Sequence, residues 1–133
     1  MIFIDTGAFL ARYVKHDQYH AEAFADWDQL ARDGTRCFTS NLVLSETLTL
    51  LARRTDYRFA AERGRQLYSS SVLEILRPDI NDEIAAIFLF EKYADQQVSF
   101  CDCVSFVLMR RLGIPDAFAF DDHFSMAGFN VRP

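Results

Sequence analysis

The chain has 133 residues, 50% of them apolar and 25% charged, with a formal net charge of −5. That length suits one domain over residues 1–133 with a core of its own, and the absence of any run of eighteen apolar residues excludes a helical membrane span. The acidic balance is unlike the basic surface of most nucleic-acid binders, yet it leaves room for a nuclease whose own site is acidic and takes up cations before a phosphate approaches.

Met1 to Ile4 is a short apolar run ending in an acid and reads as a buried strand. The opening lacks the basic start of a signal peptide, and Asp5 interrupts its apolar stretch, so a cytoplasmic protein is expected. Helical patterns follow over Thr6 to Tyr13 and Asp17 to Arg32, the second closed by Gly34. Arg36 to Thr39 reads as a strand. Ser40 and Asn41 can cap the next helix, in which Leu44, Leu48 and Leu51 share one face. A helix is expected over Phe59 to Ser69, a strand over Val72 to Leu76, and a helix from Pro78 and Asp79 to about Tyr93. Ser99 to Arg111 is helical and ends near Gly113, Asp116 to Phe120 is a strand, and Phe129 to Val131 is a last short one. Strands alternating with helices predict an α/β fold, with a parallel sheet covered on both faces and a site beyond the carboxyl ends of its strands.

Four acids converge on that edge. Asp5 follows the first strand and Asp121 the strand ending at Phe120. Glu46 and Asp102 lie near the starts of helices that begin at the same edge. Each has a structural alternative. Asp5 is placed to cap the helix from Thr6, and Glu46 to face solvent between Ser45 and Thr47. Ser99 and Asp102 have capping-box spacing, while Asp121 and Asp122 suit a turn. As a set they are more telling, because two carboxylates about 4 Å apart repel by roughly 4 kcal/mol at an effective dielectric near 20. Such a cluster calls for a cation, and oxygen ligands favour Mg²⁺ or Mn²⁺, ions suited to activating water for attack on a phosphodiester.

Other reactive residues read more plainly. Cys101 and Cys103 offer only half a zinc site and are expected, with Cys37, to be small buried hydrophobes. His16 and His20, four apart, lack the H-E-x-x-H pattern and read as a helix start and a surface residue. His123, beside Asp121, either touches phosphate or packs at the turn. Arg53, Arg54, Arg58, Arg63 and Arg65 either steer RNA or pair with acids on a solvated face. Phe24, Trp27 and Leu30 repeat at helical spacing as core or partner-facing surface.

The same acids carry a family resemblance. Ile4-Asp5-Thr6 after an apolar strand resembles the opening of PIN domains, and the segment from Thr39 to Leu48, with Glu46, is similar to their second motif. Ser99 to Phe106, with Asp102, is similar to the third; Ala119 to Phe124, with Asp121, then Gly128-Phe129, is similar to the fourth and the closing strand. The match runs in order from Met1 to about Val131. It departs at Ala119, where the fourth motif carries Thr or Ser, and Asp122 is the neighbouring alternative to Asp121.

The resemblance implies a three-layer α/β/α sandwich around a parallel sheet of four to five strands. It implies an endoribonuclease acting on single-stranded RNA, with Mg²⁺ (Mn²⁺ as substitute) at Asp5, Glu46, Asp102 and Asp121, and products with a 5′-phosphate and a 3′-hydroxyl. Thr6 and Ser99 would orient ligands or phosphate, with Asp122 and His123 as further candidates. Small members of this kind resemble the VapC-type toxins of toxin–antitoxin pairs, held inactive by an antitoxin protein and commonly homodimeric. The other readings are a housekeeping RNA-processing nuclease of the same fold and a PIN-like module that binds RNA or protein without catalysis.

Overall fold

The computed structural model describes residues Met1 to Pro133. Five strands form one parallel sheet: β1 (Ile2–Ile4), β2 (Cys37–Ser40), β3 (Leu73–Leu76), β4 (Asp116–Phe118) and β5 (Asn130–Arg132). They lie side by side in the order β3-β2-β1-β4-β5. Between them run α1 (Thr6–Tyr13), α2 (His20–Asp33), α3 (Asn41–Arg54), α4 (Tyr57–Tyr68), α5 (Ile80–Lys92), α6 (Phe100–Leu112) and the four-residue α7 (His123–Met126). The result is the expected α/β/α sandwich at the upper end of the expected strand count. No helix is long and apolar enough to cross a membrane.

The central strand explains the sequence pattern. Ile2, Phe3 and Ile4 are all buried, because β1 has strands on both sides and helices on both faces. Much of the aromatic content fills the core. Phe106 of α6 meets Phe124 edge-on at 5.1 Å, and Phe129 closes over both. Trp27 packs on Phe9 and Phe118 and donates its indole N–H to the Ala8 carbonyl at 3.1 Å, which ties α2 to α1. Its neighbour Phe24 is exposed instead.

Several boundaries differ from expectation by a residue or more, and three of them have a visible cause. The second helix starts at His20, not Asp17, because the Asp17 carboxylate accepts the Tyr19 N–H and holds a turn. Strand β4 stops at Phe118, two residues short of Phe120. Ala119 still bonds through its N–H to the Arg132 carbonyl, but Phe120 turns aside to stack on Tyr19 at 4.5 Å. Strand β5 begins at Asn130, since Phe129 faces the aromatic cluster.

Helices α5 and α6 are joined by a charged contact that periodicity does not reveal. Asp79 caps α5 by accepting the Asp82 N–H, and Asp82 accepts the Asp79 N–H in return, each at 2.9 Å. The Asp82 carboxylate also takes two N–H groups of Arg111 at 2.9 Å. Burial alone would raise this carboxyl, but these donors outweigh it and hold it below its ordinary value. Its stabilisation is therefore present above the ordinary carboxylate range and lost in acid. Asp82→Ala removes half of the capping box, worth about 1–2 kcal/mol, and strands Arg111. Thermal melts at pH 7 should show a lower midpoint for this variant, and the deficit should shrink toward pH 3.

Candidate metal centre

The carboxyl edge of the sheet gathers the predicted acids. Thr39 on β2 donates its hydroxyl to the Ile4 carbonyl at 2.9 Å, and the Asp5 N–H bonds the Phe118 carbonyl at 3.0 Å, so the chain leaves β1 pinned between both neighbouring strands. Asp5 occupies the N-cap position of α1, yet its side chain makes no capping hydrogen bond. It is 6% exposed. Burial, then the charges of Asp102 and Asp121, push its carboxyl well above its ordinary value, with a smaller push from Glu46. A helix cap would have no reason to sit among like charges, so the capping alternative does not describe this side chain.

Asp102 lies in the first turn of α6, where Ser99 performs the capping by accepting the Asp102 N–H at 3.1 Å. That bond fixes the Asp102 backbone and leaves its carboxylate facing the edge. Burial and the Asp121 charge raise the carboxyl to about 6, against the opposing pull of His123, whose Nδ1 lies 3.2 Å from Asp102 Oδ2. Asp121 stands three residues beyond the end of β4 and accepts the His123 N–H at 3.0 Å. One ligand atom each from Asp102, Asp121 and His123 lie within 4.8 Å of one another. Asp122 is exposed, is not part of that group, and heads α7 without a side-chain cap. Of the adjacent pair, Asp121 is the one that joins Asp102.

Glu46 is more distant. It sits in the second turn of α3, launched where Ser40 accepts the Val43 N–H at 3.1 Å, and it is exposed. It does not join the three-residue group, but its charge reaches both Asp5 and Asp102. It lines a groove with Arg53, Phe100 and Cys101. The Thr6 hydroxyl is turned away from the acids: it donates to the Val43 carbonyl and accepts from Thr47, both at 3.4 Å, so it ties α1 to α3.

Cys101 is the residue that sequence reasoning placed poorly. It is half-buried between the acids rather than a plain core hydrophobe. Burial, then the nearby Glu46, Asp5 and Asp102, push its thiol far up. The only available signal was its adjacency to Asp102. Cys37 and Cys103 are buried as expected. His20 is taken by the Ala11 carbonyl at 2.7 Å and His16 is exposed, so neither approaches the centre. Among the clustered arginines, Arg54 pairs with Asp17, and Arg58 and Arg63 with Glu62. Arg53 instead opens on the Glu46 groove.

The donor chemistry fits a divalent cation. None of the ion pairs brings a lysine or arginine to Asp5, Glu46, Asp102 or Asp121; His123 is the sole partner, on Asp102. Asp5 and Asp102, raised by their acidic neighbours and without a lysine or arginine partner, are in an arrangement that a hard cation relieves.

Comparison with known proteins agrees in extent and kind. The PIN domain family matches residues 2–130. The chain is 38% identical over 134 aligned positions to the 23S rRNA-specific endonuclease VapC20 of Mycobacterium tuberculosis, covering 100% of this chain and 99% of that protein. The crystal structure of Mycobacterium tuberculosis VapC20, described as a sarcin–ricin loop cleaving toxin, matches with a TM-score of 0.88 at 35% identity over 100% of both chains. VapBC2 from Rickettsia felis, bound to a promoter DNA fragment, matches with a TM-score of 0.71 over 99% of this chain and 98% of that one. At 13% identity that second likeness shows the fold alone.

Proposed function

The chain belongs to the PIN-domain family, and from that membership we propose that it is a metal-dependent endoribonuclease that hydrolyses phosphodiesters of single-stranded RNA, the toxin of a type II toxin–antitoxin pair. One observation carries this reading: a 38% identity to a ribosomal RNA endonuclease extends over the whole chain and over 99% of that protein. The exposed sarcin–ricin loop of 23S rRNA is accordingly the substrate we favour. A housekeeping nuclease or a non-catalytic module of this fold is less consistent with that full-length likeness and with the presence of all four acids in motif order.

PIN nucleases use divalent metal ions, and here Asp5, Glu46, Asp102 and Asp121 would hold one, Mg²⁺ or Mn²⁺, directly or through water. Bound there, the ion supplies charge neutralisation at the phosphate and a more acidic attacking water. The protein's own groups do the positioning. Ser99 fixes the Asp102 backbone, and the strand contacts of Asp5 fix the other side of the centre. Glu46 stands on the groove wall where a strand of RNA would enter, and Arg53 beside it is placed to meet a backbone phosphate. We place the protein in the cytoplasm with its RNA, working as a single folded unit over 1–133.

The decisive substrate experiment is incubation with intact ribosomes, followed by primer extension across 23S rRNA. One cut within the sarcin–ricin loop is expected, and scattered cuts in every RNA present would contradict the assignment. Expression should arrest growth, and co-expression of the adjacent small gene should relieve it.

A homodimer is also part of this reading. Ile80, Ile84, Ile87 and Phe88 line one face of α5 and are 66%, 59%, 56% and 70% exposed. Four large apolar side chains on one solvent-facing stripe are more than isolated surface residues require, and they suit a self-complementary contact. Ile84→Glu combined with Phe88→Glu should convert a dimer into a monomer in sedimentation equilibrium. A wild-type monomer, or a dimer that survives both charges, would remove α5 from the interface.

A further inference from the structure

His123 brings the one nitrogen donor into an otherwise oxygen-rich centre. We propose that His123 Nδ1 is a direct ligand of the divalent ion, beside Asp102 and Asp121, and that this nitrogen makes the centre prefer Mn²⁺ to Mg²⁺. The inference rests on the reading of the acidic edge as a metal site.

The geometry is that of neighbouring ligands. Around an ion with bonds of about 2.1 Å, adjacent donors lie about 3.0 Å apart and opposed donors about 4.2 Å. Nδ1 of His123 lies 3.2 Å from Asp102 Oδ2, and the three residues offer ligand atoms within 4.8 Å of one another. The first separation is that of adjacent donors on one ion, and the outer limit needs only a small contraction.

The ring is also held in place before any ion arrives. The His123 backbone N–H donates to Asp121 Oδ1 at 3.0 Å, so that carboxylate and the residue that carries the ring are set by one tight turn. The next residue, Phe124, is fully buried edge-on against Phe106 of α6, the helix that carries Asp102. The turn with His123 and the helix with Asp102 are thereby clamped together across 21 residues of sequence. The ring itself stays partly open to solvent, so an ion can reach it. To serve as a ligand through Nδ1, His123 would carry its ring proton on Nε2.

Metal choice follows from the donor. Mg²⁺ keeps to oxygen ligands and gives up its waters reluctantly, whereas imidazole nitrogen binds first-row transition ions. A ring that only hydrogen-bonds Asp102 from outside would support both ions alike. A ring that ligates supports Mn²⁺ selectively.

The test uses the full-length protein, titrated separately with Mn²⁺ and Mg²⁺ by calorimetry, and pulsed electron paramagnetic resonance of the Mn²⁺-loaded wild type and His123→Gln. Expected results are ¹⁴N coupling of a coordinated imidazole in the wild type and its loss in His123→Gln. Mn²⁺ affinity should fall by about tenfold or more, the scale set by loss of even an outer partner, with Mg²⁺ affinity changing far less. Absence of nitrogen coupling in the wild type overturns the proposal without needing any variant. So does an equal loss for both ions in His123→Gln, which leaves the oxygen-only centre standing. Failure of the wild type to bind either ion overturns this proposal together with the metal-dependent reading beneath it.

Discussion

Asp5→Asn should lower RNA cleavage by about 100-fold or more, the scale on which loss of one charge-stabilising group acts in an active site. The substitution changes volume little, and the side chain makes no capping hydrogen bond to α1, so the fold should survive it. The opposite holds for stability. Asp5 is buried and faces the charges of Asp102, Asp121 and Glu46. Removing its charge relieves that repulsion, so the metal-free variant should melt at a higher temperature than the wild type at pH 7. Cleavage assays and thermal melts in chelator check the two halves independently. Full activity in Asp5→Asn would reduce Asp5 to a connector between β1 and α1.

Asp102→Asn should stabilise the chelated protein in a way that depends on pH. The Asp102 carboxyl is raised from 3.8 to about 6, by burial first and Asp121 second. A raised acid binds its proton more tightly in the folded protein than in the unfolded chain. Its contribution is then fully present below pH 3.8 and is lost as pH rises through about 6. Asparagine imitates the protonated form at every pH. In chelator the variant should therefore match the wild type near pH 3.5 and exceed it at pH 7. Saturating divalent ion should reverse the order at pH 7, because the ion stabilises only a protein that can bind it. A wild-type advantage at pH 7 in chelator would mean that His123 outweighs both burial and Asp121.

Much of this was readable from the chain, and the failures have physical causes. The buried run Ile2–Ile4 marked the central strand, because a strand covered on both faces needs no alternation. The acids were legible as an edge cluster because parallel strands deliver their carboxyl ends, and the helices that follow them, to one side. The end of β4 was not legible: Phe118 and Phe120 look alike in sequence, but the Tyr19 ring that draws Phe120 out of the strand comes from a distant turn. Helix α7 is one turn long, too short for periodicity to show. Asp5 was balanced between cap and cluster, and only the missing capping bond separated the two. Ser99 and Asp102 read both as a capping pair and, through Asp102, as part of the acidic cluster; the capping bond exists, and it leaves the Asp102 carboxylate beside Asp121. Cys101 and His123 depend on contacts between α3, α6 and the turn before α7, which local pattern does not encode.

The central claim is that these acids make a metal-dependent ribonuclease. Its most direct test is cleavage of an RNA pool that includes 23S rRNA by the purified protein, with Mg²⁺ or Mn²⁺ and then with excess chelator, the ends of each product mapped. Cleavage that requires the ion, stops in chelator and leaves 5′-phosphate and 3′-hydroxyl ends is the result expected. Undiminished cleavage in chelator, or cleavage by the Asp5→Asn protein at the wild-type rate, would contradict it.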